Sequence, residues 1–507
     1  MEHVATSSRR GILAIAALFA LFLFGFFYVM ALGGGWRVFI YVNGGILFLA
    51  ALGFFMKDAK SFLLFMVVFG ITFGLGRHVV YERMPFESVL FSSGIRIDSV
   101  DVVLVVLMGY WGQSVARRQF RGKAFTLGNP IGSLFLIWIV VSVFLSLMVA
   151  KEPRFSMFEA FVMVKGFLLF LTLVNTIKEE RDLRIVVLAL MAMGTVQALY
   201  LVFQYITRTT YTIYGGLVTA PGGEAGFRSP GFYGGPDTHA VFLVTIFPIF
   251  LAGYLVYTEP AKRFAALMAM LLIVLGLMTT KVRIAGASLL LGSIVVVVVS
   301  QRRGWITFKK ASYLFIVGTF LLILMVPLVY HQFTSRLYGQ DRIPLMLTAL
   351  NIIKSHLITG VGMGNYNFDV EQYVPVQERG KWLYTVHNQY LLILAEQGIV
   401  AAMIYYSMLL AAMRRYWIAA KSNNHLIFMI SAAFFGVLIG SLPHRIVSMY
   451  HYQQYFYLYC VMLALAYVLP LMSRQASQFS SQNNGGPLKR FRETGGQAPP
   501  PPPSFRG

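Results

Sequence analysis

The chain has little cysteine and little negative charge. Its 507 residues include one cysteine, Cys460, and 20 acidic residues against 42 Lys and Arg. Because Cys460 has no partner thiol, an internal disulfide and a cysteine-ligated metal site are excluded, and we expect this side chain to pack in an apolar run. The net charge is +22, but the basic residues lie in short loops between apolar runs. No basic domain with interleaved aromatic residues is present, so we expect no nucleic-acid partner.

Long polar stretches are scarce as well. Hydrophobic residues make up 57% of the chain, charged residues make up 12%, and the mean hydropathy is +0.68. These values exclude a soluble globular protein and are typical of a polytopic membrane protein. Inside a bilayer the backbone must satisfy its own hydrogen bonds, and runs of roughly 20 apolar residues do so as helices. The expected fold class is therefore all-α, a polytopic bundle of transmembrane helices.

Hydropathy predicts about fourteen membrane spans. The first follows Arg9 and Arg10 and is too long for the core of a cleaved signal peptide, so we expect it to remain. The basic clusters between spans all fall on one side, which the positive-inside rule makes cytoplasmic, and both termini lie on that side. The predicted spans are 11–32, 36–55, 61–76, 99–114, 131–150, 157–175, 185–205, 240–257, 264–280, 284–300, 311–330, 398–413, 425–441 and 453–471.

The predicted spans divide the chain into three parts. Residues 1–184 form N-terminal transmembrane helices, and residues 185–473 form a transmembrane core. Before the twelfth span the core contains a large outer-face loop with surface helices, 331–398, which is the longest polar interruption of the apolar runs. Residues 474–507 are rich in Ser, Gln, Asn and Gly and include five consecutive prolines. We expect them to form a disordered cytoplasmic tail.

Two patterns in the loop 331–398 bear on its structure. After Arg342, apolar residues recur at alternating steps of three and four, which predicts an amphipathic helix along the membrane surface. The residues of this stripe are Ile343, Met346, Leu350, Ile353 and Leu357. The next segment, Gly360-Val361-Gly362-Met363-Gly364-Asn365, superficially resembles a nucleotide-binding loop. It has no strand-turn-helix context and is predicted to face outside, so a dinucleotide site is not predicted.

His387 is the candidate proton acceptor of this loop. It directly precedes an apolar helical segment that begins near Tyr390. A lone histidine in such a position is more often a structural or capping residue than a catalyst. At the start of a helix, however, the positive end of the helix dipole disfavours imidazolium and lowers the histidine pKa from its usual value of roughly 6.5. We therefore expect a neutral ring that can accept a proton.

Basic side chains on the outer face are candidates for anion binding. The positive-inside rule places basic residues on the cytoplasmic side and does not explain an arginine on the outer face. Such an arginine indicates anion binding, with contact to lipid headgroups as the alternative. Lys281 and Arg283 lie in a very short turn between spans, where they can hold a phosphate group. His444 and Arg445 lie in the last predicted outer loop and are secondary candidates. Lys165 stands in the middle of a span, where we expect a structural role inside the bundle.

Four stretches resemble the O-antigen ligase family of bacterial membrane glycosyltransferases, whose superfamily also contains O-antigen polymerases and protein O-oligosaccharyltransferases. They are the loop from Arg228 to Asp237, the turn Thr280–Arg283, the segment from Arg342 to Asn365, and the His387-Asn388 pair followed by Gly398. The likeness covers roughly residues 185–470. Two positions depart from the family pattern, since the Asn that follows the proline is Asp237 here and the last position of the fourth motif is Ala401.

The resemblance implies an enzyme that moves a finished glycan from a polyprenyl (undecaprenyl) pyrophosphate carrier to an acceptor hydroxyl, with inversion at the anomeric carbon. It implies polysaccharide and lipopolysaccharide biosynthesis in the bacterial inner membrane, with the active site on the periplasmic side. The partners are then the carrier-linked glycan, a lipid or glycan acceptor, and membrane lipids. The outer loops contain only Asp98/Asp101 and Asp369/Glu371 as close acidic pairs, so we expect no metal ion and no other cofactor.

The resemblance also suggests roles for individual residues. His387 suits the general base, and Arg283, Arg342 and Arg228 suit binding of the pyrophosphate. The secondary candidates for contact with the substrates are Lys281, Asn388, Arg445 and His444.

Three other functions remain open from the sequence. A polymerase would use a carrier-linked repeat unit as the acceptor. A protein O-oligosaccharyltransferase would use a protein, although such enzymes often carry a sizeable extra outer domain. A transporter of lipid-linked oligosaccharides predicts internal repeats and ionisable groups near the membrane midplane. No repeat is evident, and Lys165 is the only clear midplane charge, so a transporter is disfavoured.

Overall fold

A computed structural model describes residues 58–74, 76–82, 94–116, 125–208, 227–232, 235–318, 342–376, 385–447 and 453–484, together with residues 320 and 323. Predicted spans 11–32 and 36–55 lie outside these ranges, as does half of predicted span 311–330. Parts of the outer loops, 209–226, 331–341 and 377–384, and the tail from residue 485 onward also lie outside them.

The described chain is a helix bundle with one small sheet. Within it, ten helices are long and apolar enough to cross a membrane, and each coincides with a span predicted from hydropathy. Proline occupies the first turn of three of them, where its missing N–H costs no hydrogen bond. The elements are α1 Ala59–Gly70, β1 Gly76–Tyr81, β2 Gly94–Asp98, α2 Ser99–Ala116, α3 Ile131–Val149, α4 Pro153–Thr176, α5 Glu180–Thr207, α6 Pro236–Val256, α7 Pro260–Thr280, α8 Arg283–Arg302, α9 Arg342–Ser355, α10 Tyr366–Tyr373, α11 Gln389–Ala419, α12 His425–Val447 and α13 Gln453–Asn484.

In place of the predicted span 61–76 the structure has a shorter helix and a β-hairpin. α1 has 12 residues. At 1.5 Å per residue it is about 18 Å long, short of the roughly 30 Å of hydrocarbon in a bilayer. The chain then passes through Gly74, whose φ is 52°, into an antiparallel hairpin that pairs Gly76 with Asp98 and Tyr81 with Gly94. This hairpin corrects the all-α expectation for the described part of the chain.

α13 extends further than the sequence predicted. It runs to Asn484, so residues 474–484, expected to begin a disordered tail, belong to a helix. No glycine or proline occurs between Pro470 and Gly485. A polar composition alone does not end a helix that has already been nucleated, so the helix continues to the first breaker.

α11 is interrupted at Gly398, whose φ of 72° and ψ of 177° are not helical. At this point the helix exchanges backbone partners with the turn that follows α9. The N–H of Ile399 donates to the carbonyl of Leu357 at 2.8 Å. A continuous helix would pair Ile399 with the carbonyl of Ala395, which instead accepts from the N–H of Val361 at 2.9 Å. The outer loop is thereby joined to α11 through main-chain hydrogen bonds.

α8 and α12 approach each other closely through glycine. A Cβ at Gly440 would lie 2.6 Å from the carbonyl oxygen of Ser288, and one at Gly436 would lie 2.7 Å from that of Gly292. Because Ser288 faces Gly440 and Gly292 faces Gly436, the two helices are antiparallel. The start of α8 and the end of α12 therefore lie at the same end of the bundle.

Lys165, near the middle of α4, has polar partners inside the bundle. Its Nζ lies 2.7 Å from Oδ2 of Asp101 and donates to the carbonyl of Arg96 at 2.8 Å. The hydroxyl of Tyr457 in α13 donates to Oδ1 of Asp101 at 2.9 Å. Lys165 therefore ties α2 and β2 to α4 and α13, in agreement with a structural role.

Asp98 extends this polar network at the end of β2. One carboxylate oxygen accepts from Nε2 of Gln453 at 2.7 Å, and the other lies 2.9 Å from Nε of Arg96. Burial raises the pKa of Asp98, while the charges of Arg96 and Lys165 oppose the shift. The network thus joins the hairpin to the first turns of α13.

Replacing Lys165 with Met is expected to lower the free energy of unfolding by about 3–5 kcal/mol, because it leaves the Asp101 carboxylate buried without its cation. The measurement is thermal unfolding of the purified protein in detergent. The double variant Lys165→Met with Asp101→Asn removes both charges and is expected to recover part of the loss. A Lys165→Met variant as stable as the wild type would show that the pair contributes nothing.

Replacing Gly398 with Ala is expected to cost roughly 3 kcal/mol or more, because the φ/ψ region favours glycine and the space is filled. The new Cβ would lie 2.1 Å from the carbonyl oxygen of Ile358. The matched control is Gly109→Ala in α2, where a Cβ meets no atom within 4 Å. Equal melting temperatures for the two variants would contradict the role assigned to Gly398.

Candidate functional site

Arg228 is fixed against the end of α7. Its Nε donates to the carbonyl of Thr280 at 2.9 Å, and its Nη2 lies 3.2 Å from Oδ1 of Asp237 in the first turn of α6. The N–H of the next residue, Ser229, donates to the carbonyl of Thr279 at 3.1 Å. The loop that carries Arg228 is therefore pinned to the end of α7. Asp237, where the sequence departs from the family pattern, supplies a carboxylate partner for the guanidinium.

The turn between α7 and α8 is as short as the sequence predicted. Lys281 adopts a left-handed conformation with a φ of 55°, and Val282 is the N-cap of α8, which begins at Arg283. Lys281 is exposed and Arg283 is half-buried. Both cations lie within three residues of Thr280, whose carbonyl binds Arg228. The structure therefore brings the three predicted basic residues of this region to one end of the bundle.

His444 and Arg445 differ from the prediction. The sequence predicts an outer loop for them, but both belong to the last turn of α12, which ends at Val447. Only 1% of the surface of His444 and 2% of that of Arg445 is exposed. His444 lies near enough to the Asp237 carboxylate for a favourable electrostatic interaction. Polar partners inside the bundle allow the helix to continue through these residues.

Arg445 lies at the same level of the bundle as Arg283. Ser288 faces Gly440 where α8 and α12 cross, and the same number of residues separates Ser288 from Arg283 and Gly440 from Arg445. Each interval is about 7.5 Å of helix at 1.5 Å per residue. Since the helices are antiparallel, both intervals run toward the same end.

Tyrosines surround the guanidinium of Arg445. Its Nη1 donates to the hydroxyl of Tyr405 at 2.8 Å, and its Cζ lies 5.8 Å from the ring centre of Tyr459. Tyr455 is a further hydrogen-bond partner. These tyrosines were not predicted from the sequence, because a tyrosine in an apolar span is usually a packing residue. Their one sequence signal is the spacing of four between Tyr455 and Tyr459, which puts both on one helix face.

The first turn of α11 contacts the same end of α12. The hydroxyl of Tyr390 donates to the carbonyl of Leu442 at 3.2 Å, and the rings of Tyr390 and Tyr406 are 5.9 Å apart. His387 precedes Tyr390 by three residues. The structure therefore brings His387 to the end of the bundle that carries the basic residues described above.

The ring of His387 is held in one tautomer. Its Nδ1 lies 2.9 Å from the carbonyl oxygen of Thr385. A carbonyl only accepts hydrogen bonds, so Nδ1 carries the proton in the neutral ring and the lone pair is on Nε2. The side chain is half-buried. In this arrangement the neutral imidazole can accept a proton at Nε2.

Asn388 connects His387 to α11. It is the N-cap of the helix, and its side-chain oxygen accepts from the N–H of Tyr390 at 3.0 Å and of Leu391 at 3.1 Å. These bonds satisfy two N–H groups that the first turn of the helix leaves unpaired. The structure therefore gives Asn388, a secondary candidate for substrate contact, a capping role.

The segment before His387 is anchored in a small apolar cluster between α9, α10 and α11. Val386 is 1% exposed in this cluster, and the hydroxyl of Thr385 donates to Oδ1 of Asn367 at 3.0 Å. Tyr366 belongs to the same cluster. Burial, and then the nearby Glu396 carboxylate, raise the pKa of Tyr366, so its hydroxyl stays protonated at neutral pH. His387 is thus presented by a packed segment and flanked by a helix cap.

The glycine turn 360–365 binds other parts of the protein. Oδ1 of Asn365 accepts from the N–H of Glu152 at 2.8 Å, and its Nδ2 donates to Oγ of Ser156 at 3.1 Å. The N–H of Met363 donates to Oγ of Ser146 at 2.9 Å. The turn therefore connects α11 with the corner between α3 and α4.

The apolar stripe of α9 is divided between the bundle and the exposed surface. Arg342 is the first residue of the helix, and the side chain of Arg342 lies outside the described part of the structure. Met346 and Ile353 of the stripe pack against the apolar cluster between α9, α10 and α11, whereas Ile343 and Leu350 are 51% and 39% exposed. The position of this helix along the membrane surface stays a prediction.

In the described ranges, no group of three or more His, Cys, Asp and Glu side chains is arranged to hold a metal ion. Of the two acidic pairs in the predicted outer loops, Asp98 and Asp101 belong to the polar network around Lys165. The side chain of Asp369 lies outside the described residues. The expectation that the protein uses neither a metal ion nor another cofactor stays a prediction.

Part of the chain matches a known protein family. A family model for O-antigen ligase matches residues 268–406. This range contains Arg283, Arg342, His387 and Gly398, while Arg228 and the end of α12 lie outside it. No curated protein matches the chain. Together with ten helices of membrane-spanning length in the described residues, the match confirms the resemblance seen in the sequence. The chain is a multi-pass helical membrane protein in which residues 268–406 are similar to the O-antigen ligase family.

Proposed function

We propose that the protein transfers a glycan from a polyprenyl-pyrophosphate carrier, such as undecaprenyl pyrophosphate, to an acceptor hydroxyl. The observation that carries the proposal is the geometry of His387, which lies within the matched range 268–406 and whose Nδ1 is bonded to the Thr385 carbonyl. A ring with its lone pair on Nε2 suits removal of a proton from a hydroxyl group.

In the proposed reaction, Nε2 of His387 accepts the proton of the acceptor hydroxyl while the hydroxyl oxygen attacks the anomeric carbon. A new C–O bond forms to the acceptor, and the bond from the anomeric carbon to the pyrophosphate oxygen breaks. The pyrophosphate leaves with the electron pair, and attack from the opposite face inverts the anomeric configuration. A positioned general base contributes on the order of 10²- to 10⁴-fold to such a step.

The leaving group gains negative charge, and the basic residues at the same end of the bundle suit its stabilisation. Arg283 stands in the first turn of α8, where the helix dipole adds to its positive charge. Arg342, Arg228 and Lys281 are the other proposed contacts. His444 and Arg445 are buried, so the proposal gives them a supporting role beneath the site. Arginine pairs with phosphate oxygens through two parallel hydrogen bonds, so the reaction proposed needs no metal ion.

We assign this reaction to the outer face of the bacterial inner membrane, with both termini in the cytoplasm. The charge distribution along α8 supports the assignment, because Arg302 is its last residue and Arg303 follows it at the start of a basic segment. The proposed partners are the carrier-linked glycan, a lipid or glycan acceptor and membrane lipids.

The first test is glycan transfer from a polyprenyl-pyrophosphate donor by the purified protein in detergent with EDTA. We expect transfer by the wild type and a loss of about 10²- to 10⁴-fold in His387→Ala, because the acceptor hydroxyl loses its base. His425→Ala is the control, since it removes an exposed histidine at the start of α12, the opposite end of the bundle. Unchanged transfer by His387→Ala would exclude His387 as the base, and transfer abolished by EDTA would exclude the metal-independent reaction.

The acceptor in the same assay distinguishes a ligase from a polymerase. Lipid A-core and carrier-linked repeat units are offered separately. Use of lipid A-core supports the ligase that we propose, whereas use of carrier-linked repeats alone shows a polymerase. Movement of labelled glycolipid across vesicle membranes, with no transfer to either acceptor, would show that the protein is a transporter and would exclude the proposed transferase activity.

Replacing Arg283 with Gln is expected to lower transfer by about 10²- to 10³-fold, because the developing charge on the pyrophosphate loses a preorganised donor. Arg302→Gln is the matched control, since it removes the same charge from the opposite end of α8. The measurement is initial transfer rate at saturating donor, with melting temperatures of both variants. Equal rates for the two variants would show that Arg283 does not contact the leaving group.

A further inference from the structure

A cavity of about 230 Å³ lies at the end of the bundle opposite to the proposed site, between the end of α4 and the later turns of α13. Its floor is apolar and consists of Val174, Ile177, Val468, Leu471 and Met472. Leu471 is 38% exposed, so the cavity is open at this side chain. An apolar floor between transmembrane helices that is open at one side chain suits a hydrocarbon chain.

One wall of the cavity is held by hydrogen bonds. The hydroxyl of Tyr467 lies 3.0 Å from Oγ1 of Thr126, and both residues line the cavity. The side chain of Asn175 accepts from the N–H of Thr126 at 3.0 Å and donates to its carbonyl at 2.8 Å. The wall is therefore preformed.

The rim of the cavity is positively charged. Lys178 is part of the lining, and no Asp or Glu is among the lining residues described. The guanidinium of Arg415 lies 5.1 Å from the ring centre of Tyr467, which lines the cavity. Arg474 is close enough to Arg415 for the two charges to repel each other. An anion at this rim lowers that repulsion.

We propose that this cavity binds a membrane phospholipid with an anionic headgroup. The phosphate lies at the rim near Lys178 and Arg415, and an acyl chain lies along the apolar floor. Basic pockets between transmembrane helices on the cytoplasmic side bind anionic lipids through this combination of charge and hydrocarbon contact. The proposal does not depend on the reaction assigned to the opposite end of the bundle.

The test is native mass spectrometry of the full-length protein in detergent, titrated with phosphatidylglycerol or with phosphatidylethanolamine of the same acyl chains. We expect tighter binding of phosphatidylglycerol by the wild type. Lys178→Gln is expected to lower its affinity about fivefold, the effect of one lysine near an anionic headgroup. Leu471→Trp, which fills part of the cavity without changing charge, is expected to lower the affinity for both lipids.

Lys309→Gln is the matched control, because it removes an exposed lysine from the first turn of the helix that follows α8 and is expected to bind as the wild type does. Melting temperatures establish that each variant is folded. If Lys178→Gln does not fold, Leu471→Trp still tests the proposal. Equal affinity of the wild type for the two lipids, or unchanged binding by Lys178→Gln and Leu471→Trp, would overturn the proposal. Displacement of phosphatidylglycerol by equimolar polyprenyl phosphate would assign the cavity to the carrier lipid instead.

Discussion

The exchange of backbone hydrogen bonds at Gly398 is the constraint on which the arrangement of the outer loop depends. Because the chain leaves helical geometry there, the carbonyls of Ala395 and Glu396 accept from Val361 and Gly362 at 2.9 Å and 2.8 Å. The glycine turn that resembles a phosphate-binding loop is therefore joined to α11 by its main chain. The same break makes residues 389–397 a short separate helix, and the cap of this helix fixes the segment that presents His387.

Buried charge in this protein is held by neighbours that restrict its position. Lys165 pairs with Asp101 inside the bundle, and Arg445 is enclosed by tyrosines. Nε of Arg228 donates to the Thr280 carbonyl, and Nη2 pairs with Asp237. These contacts fix the turn that carries Arg283. Arg445 is buried, whereas Arg283 is half-buried at the start of α8, where the helix dipole favours an anion.

Most spans were predictable from hydropathy, because a run of apolar residues in lipid has few alternatives to a helix. The short turn at Lys281 and the position of His387 before a helix were also readable from local sequence. The tyrosines around Arg445 and the pairing of Arg228 with Asp237 were not, because they join residues distant in sequence. The burial of His444 and Arg445 depends on those same partners, so sequence alone predicted a loop where α12 continues. The hairpin after α1 was not predictable, because its short, glycine-containing strands show no clear alternation of apolar and polar residues.

In the proposed reaction, the base His387 and several basic residues lie at the same end of the bundle, which creates an electrostatic conflict. Positive charge near a histidine disfavours imidazolium. Once the pyrophosphate is bound, its negative charge offsets those cations, and a proton on Nε2 becomes less costly. In the transition state the leaving group becomes more negative as the ring becomes positive, so the two changes stabilise each other. In the proposed reaction, proton removal from the acceptor is thereby coupled to the presence of the donor.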